Sequence, residues 1–182
     1  MAVRTCAMTP PKAVFSHNTI VTENSNESRA LFEQGVFGSL LKDGRIRLSL
    51  LEAAYLLDTE KITVIDGKNN PLTPQQFEAR ASKIEKEHWL RAAVFNDLRS
   101  RGYIVKTALK FGADFRVYDK GVKPGEDHAR WIVYPVHEKE TMTWHDFSSK
   151  NRVAHSTRKR LLIAVVDDEG DVSYWESRWL RP

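Results

Sequence analysis

Phe115–Val136, FRVYDKGVKPGEDHARWIVYPV, decides how the second half of the chain folds. Two apolar runs, FRVY and ARWIVYPV, flank a connection that contains two glycines and a proline. Runs rich in Val, Ile, Tyr, Phe and Trp, bounded by such punctuation, read as strands joined by a turn. Tyr118 closes the first run and His128 opens the second. Working outward, YIVKTAL before this stretch and RLLIAVV and VSYWESRWL after it also read as strands. One helix, expected over residues 144–159, interrupts them.

Ahead of this strand-rich half lies the clearest helix, residues 86–101. Trp89, Ala92, Ala93, Phe95 and Leu98 keep mostly i, i+3, i+4 spacing, and Gly102 ends it. Further upstream, residues 13–22 read as strand and turn. NESRALFEQG reads as a short helix with Asn26 as N-cap and Gly35 at the C-cap. Ser49 caps a second helix, with Glu52 at the capping-box position. ITVID is a short strand, and Thr73 followed by Pro74 starts another helix. The expected class is therefore α/β, of the α+β kind, in two units: residues 1–84 and residues 85–182. No internal repeat interrupts this plan.

Composition narrows the function. The chain has 182 residues, 41% hydrophobic and 29% charged, with a net charge of +4. That mild excess permits a nucleic-acid partner. No apolar run is long enough to cross a bilayer, so no membrane partner is expected. MAVRTCAMTPPK lacks the apolar core of a signal peptide, and Cys6 is the one cysteine. Both features fit a reducing, cytoplasmic setting. A lone cysteine also excludes a cysteine-based zinc site. The charge is unevenly placed. KNRVAHSTRKR, residues 150–160, carries five Lys/Arg and no acid; Asp167, Asp168, Glu169 and Asp171 follow almost at once.

The residue types suited to proton transfer lie in the second unit. An imidazole titrates near pH 6.5 and can hold or give a proton, so His128 is a candidate acid or base. A phenol is a poor base at neutral pH unless a cation stands beside it, so Tyr118 needs company. Lys159, where a helix gives way to a strand, offers a point charge. Alone, each reads first as a turn histidine, a strand aromatic and a solvated lysine. Together they make one reaction possible. A base takes the proton of an RNA 2′-hydroxyl, the oxyanion attacks the adjacent phosphate, an acid protonates the leaving 5′-oxygen, and a cation stabilises the phosphorane. No metal or other cofactor is needed, because the nucleophile is built into the substrate. A rival is a metal-dependent nuclease using Asp114, Asp119, Glu126 and Asp127. A second rival is a non-catalytic RNA-binding or scaffold subunit. No P-loop, GxGxxG, HExxH or GxSxG motif is present.

KFGADFRVY (110–118), then GxxHA (125–129), then R-x-AHSxRK-x-L (152–161) occur in order. In these motifs the C-terminal half resembles the archaeal tRNA-splicing endonucleases; the N-terminal half is similar only in general plan and length. The resemblance implies a C-terminal nuclease domain with a central mixed β-sheet flanked by helices. It implies Tyr118 as general base, His128 as general acid and Lys159 as electrostatic stabiliser, with no cofactor. It implies a clamp on a flipped-out bulge base, one jaw at Arg152 and the other at Trp179, with Arg178 close enough to compete. The acidic run Asp167, Asp168, Glu169 and Asp171 corresponds to a loop that enters a basic pocket on a neighbouring subunit. The implied partners are precursor tRNA, with a bulge-helix-bulge at the splice junctions, and further subunits: a homotetramer, or a heterotetramer with a second, structural subunit.

Overall fold

The computed structural model describes residues 10–108 and 112–180. Cys6, and Lys110 and Phe111 of the KFGADFRVY motif, lie outside the described residues. Two compact units divide between His88 and Trp89.

The first unit contains β1 (Lys12–Ser16), β2 (Thr19–Thr22), α1 (Asn26–Glu33), β3 (Ser39–Leu40), β4 (Ile46–Leu48), α2 (Leu50–Asp58), β5 (Thr63–Ile65) and α3 (Pro74–Ile84). Its sheet has the order β3-β4-β2-β1-β5, with β5 parallel to β1 and the other pairs antiparallel. Alternation along β1 buries Ala13 and Phe15, and Phe15 meets Phe77 of α3 at 5.4 Å between ring centroids. The capping box at Ser49 and Glu52 is present. Thr73 forms a second box with Gln76, which the sequence reading did not single out. The first helix begins one residue earlier than expected. Ser25, not Asn26, is its N-cap and accepts from the Ser28 amide at 3.1 Å, and the C-cap is Gln34 rather than Gly35. β3 and β4 have two and three residues, too few for a period of two to show in sequence.

Glu52 does more than cap. It is buried, and its carboxylate accepts from the Ser49 amide (3.0 Å), the Ser49 hydroxyl (3.0 Å) and the Gly38 amide (2.8 Å). Gly38 has φ of +69°, and a Cβ there would lie 2.6 Å from the Arg47 carbonyl. The α1–β3 connection is thus pinned to the start of α2 through one side chain. Glu52→Ala leaves buried amides without their acceptor, so unfolding free energy should fall by about 2–3 kcal/mol. Urea denaturation measures this, and a change below about 0.5 kcal/mol, the range of ordinary surface substitutions, contradicts it.

The second unit contains α4 (His88–Ser100), β6 (Ile104–Thr107), β7 (Phe115–Tyr118), β8 (Trp131–His137), α5 (Trp144–Ser156), β9 (Arg160–Val166) and β10 (Val172–Ser177). The sheet order is β10-β9-β8-β7-β6, with β8 and β9 parallel and the other pairs antiparallel. A parallel pair needs a crossover, and α5 supplies it. Each strand turns alternate residues to the two faces. On one face, Phe115 meets Phe95 of α4 at 6.1 Å, and the Tyr174 hydroxyl donates to Asp97 at 2.8 Å. On the other, Ile132, Tyr134, Leu161 and Ile163 pack with Ala154, Val153 and Phe147 of α5. β8 begins at Trp131, so His128 stands in the connection before it rather than at the head of the strand.

Candidate active site

One rung of the second sheet organises the site. Val117 of β7 is in register with Trp131 of β8, and Trp131 with Arg160 of β9. Tyr118 lies one residue beyond this rung, and Arg130 and Lys159 lie one residue before it. The backbone continues the ladder there: the Arg130 amide donates to the Val117 carbonyl at 2.9 Å, and the Arg160 amide to the Arg130 carbonyl at 3.0 Å. Tyr118, the segment leading out of His128, and Lys159 therefore share one end of the sheet.

Each side chain is held differently. Tyr118 is 4% exposed and is still paired with Ile104 of β6. Alternation puts it on the α5 face with Arg116, whose guanidinium carbon lies 6.0 Å from the centroid of its ring. Lys159 follows Arg158, which adopts a left-handed φ of +57°. The Lys159 amide closes the end of α5 on the Ala154 carbonyl at 2.8 Å, and its ammonium donates to the Thr157 carbonyl at 2.9 Å. Partial burial, and then the nearby Arg116 cation, push the Lys159 pKa below the ordinary lysine value. Arg116 is a site cation that the sequence reading missed. Its signal was the two-residue spacing to Tyr118, which puts both on one face of a strand. His128 is exposed, and its amide donates to the Asp127 carboxylate at 2.6 Å. The connection is tightened by the Lys123 amide, which donates to Glu126 at 3.0 Å, and anchored by the buried Ala129.

The clamp candidates also meet. Arg152 and Trp179 line one cleft of about 660 Å³, together with Arg178 and Trp144. A smaller cavity of about 140 Å³ adjoins it, lined by Lys159 and sharing Asn151, Ser177, Arg178 and Trp179. Trp179 stands edge-on to His155 of α5 at 4.3 Å. The Arg178 guanidinium is instead bonded to Glu176 at 2.7 Å. The Ser177 hydroxyl bonds Asn151 at 2.9 Å and ties the end of β10 to α5.

The acids divide. Asp168 pairs with Lys139 and, at 3.0 Å, with His137, and the Lys139 partner holds its carboxyl below the usual range. Asp167 accepts from the Glu169 and Asp171 amides at 3.0 and 2.9 Å and shapes its own turn. Glu169 and Asp171 are exposed. Among the carboxylates considered for a metal, Asp114 pairs with Arg91 (2.9 Å) and Asp119 with Arg130 (2.7 Å). Among the described residues no group of three or more His, Cys, Asp or Glu could hold a metal ion. No described helix is long and apolar enough to cross a membrane.

Residues 88–174 match the family model of the tRNA intron endonuclease catalytic C-terminal domain. Residues 12–78 match that of the tRNA intron endonuclease N-terminal domain. The chain belongs to the tRNA intron endonuclease family. Relatives named tRNA-splicing endonuclease include that of Methanothermobacter thermautotrophicus, 39% identical over 85% of this chain and 89% of the relative. That of Nanoarchaeum equitans is 39% identical over 81% of this chain and 97% of the relative. That of Pyrococcus furiosus is 42% identical over 78% of this chain and 80% of the relative. Both halves of the fold thus fall within the endonuclease family, including the half whose sequence resemblance was only general.

Behind the site stands a charge cluster on the α4 face. Glu176 accepts from the Trp131 indole at 2.8 Å and is flanked by Arg178 (2.7 Å) and Arg160 (3.3 Å). The Trp131 bond first, then the two arginines, pull its pKa down to about 2. A carboxylate whose pKa is lower folded than unfolded adds stability above its unfolded value and loses that contribution as pH falls through the folded one. Glu176→Gln should therefore lower the melting temperature at pH 7. The gap from wild type should narrow between about pH 4.5 and pH 2. A gap independent of pH contradicts this.

Proposed function

We propose that this chain is a catalytic subunit that cuts precursor tRNA at the two intron junctions of a bulge-helix-bulge. The observation that carries the reading is the shared sheet end of Tyr118, His128 and Lys159. That end of the sheet carries three residue types able to take a proton, give a proton and hold negative charge. Tyr118 takes the proton of the 2′-hydroxyl, and that oxygen attacks the adjacent phosphorus. The bond from phosphorus to the 5′-oxygen breaks, and His128 gives that oxygen its proton. The products are a 2′,3′-cyclic phosphate and a 5′-hydroxyl.

The electrostatics support these roles. Lys159 and Arg116 are cations close enough for one to depress the pKa of the other. An anionic phosphorane beside them supplies the counter-charge that favours both protonated forms. Arg116 also adds positive charge beside the ring of Tyr118. His128, on an exposed connection, is open to a leaving group arriving from solvent. Of the carboxylates of the metal-dependent alternative, Asp114 and Asp119 pair with arginines, and Glu126 and Asp127 accept from backbone amides of their own connection, which favours the metal-free reading.

The base clamp is read as Arg152 with Trp179. These two and Arg178 line one cleft, but the guanidinium of Arg178 is bonded to Glu176. Arg and Trp both stack on bases. One chain carries one set of catalytic groups and an intron needs two cuts, so the active particle contains at least two such chains, as a homotetramer or a two-plus-two heterotetramer. β10 is the edge of its sheet and exposes Trp175, which suits pairing with a second subunit. Within the acidic loop, Glu169 and Asp171 are the acids offered to a basic pocket, since Asp168 has cations of its own.

Cleavage of an end-labelled bulge-helix-bulge RNA in EDTA tests the reading. Wild type should cut at two positions and leave cyclic phosphate ends. His128→Ala should be slower by about 10²–10⁴-fold, the usual cost of a lost general acid. Cleavage that requires added Mg²⁺ and survives the His128 change overturns it.

A further inference from the structure

Trp144 opens α5 and is 84% exposed, more than any other large hydrophobic side chain among the described residues. An exposed indole at the wall of a cleft offers a flat face on which another ring can stack. The position is rigid. Thr143 caps the helix by accepting from the Asp146 amide at 3.1 Å. Trp144 also meets Phe147 edge-on at 5.9 Å and 83°, and Phe147 is packed against the sheet core. The cleft is the one that Arg152, Arg178 and Trp179 line, and His145 completes its rim. Among the described residues no carboxylate lines it, and the Asp146 carboxylate accepts from the Thr143 hydroxyl at 2.5 Å. Aromatic walls with Arg152 among the lining residues fit a polyanion with flat bases.

Spacing separates this position from the base clamp. Trp144 precedes Arg152 by eight residues, about 12 Å along a helix. The two positions are therefore separate points along one cleft. We propose that Trp144 is a second base-stacking position, taking an unpaired nucleotide next to the one held by Arg152 and Trp179. The inference rests on the RNA reading above and adds a subsite to it.

Equilibrium binding of a bulge-helix-bulge RNA tests it, with full-length His128→Ala as the cleavage-silenced parent. Adding Trp144→Ala should weaken binding by about 5- to 100-fold, the range of one lost base–aromatic stack. Trp144→Phe should restore most of the loss. Neither change should alter the slope of log K against log salt, because no phosphate contact is removed. If the parent binds RNA, wild type cuts it, and Trp144→Ala binds equally well, this inference falls and the splicing reading stands. If Trp144→Ala instead changes the oligomeric state in sedimentation, a second copy covers the indole and the inference is again overturned. If wild type neither binds nor cuts the RNA, both fall together.

Discussion

The site depends on the parallel pairing of β8 with β9. Seven consecutive residues of each strand, from Trp131 with Arg160 to His137 with Val166, are in register. Parallel strands begin at the same end of a sheet, and an antiparallel neighbour such as β7 finishes there. Three chain segments must then meet: the end of β7, the connection into β8 and the entry to β9. Those segments carry Tyr118, His128 and Lys159. The crossover that parallel pairing demands brings α5 over the same face. With it come Arg152 and, through Ser177 and Asn151, the residues after β10. The grouping is a consequence of topology and needs no direct bond between the three side chains.

Charge makes that sheet end suitable for a phosphate. Arg116 and Lys159 gather positive charge on the α5 face, and partial burial, then the Arg116 cation, lower the Lys159 pKa. On the α4 face, Glu176 gathers Arg160, Arg178 and the Trp131 indole. That arrangement fixes the first residue of β9, immediately after Lys159, and it sequesters the guanidinium of Arg178. The acidic turn follows a similar economy. Asp167 and Asp168 serve the chain's own backbone and its own Lys139, and this leaves a smaller acidic face than the sequence alone suggests.

Much of the fold was legible because local chemistry determined it. Ser49 with Glu52 announces a helix start through short-range hydrogen bonding, and Thr73 with Pro74 through a cap residue followed by a preset φ. The β7 and β8 runs are apolar enough to show as strands before any partner is known. Ser25 displaced Asn26 as a cap because both residue types suit the position and the sequence does not rank them. β3 and β4 are too short to have a period. In the site, Tyr118, His128 and Lys159 were visible as residue types, but their meeting depends on register across three strands. Arg116 was missed because its contact with Lys159 joins β7 to the end of a helix about forty residues later. Trp144 read only as the start of a helix, since exposure is a property of the packed unit.

The central claim is that the substrate's own 2′-hydroxyl is the nucleophile at this sheet end. A bulge-helix-bulge RNA with a single 2′-deoxy substitution at each nucleotide preceding a scissile bond tests it directly. The account predicts that this RNA binds as tightly as its all-ribose parent and is not cut, in EDTA or with Mg²⁺. Cleavage of the substituted RNA at the same bonds would contradict it, because an external nucleophile would then be doing the chemistry.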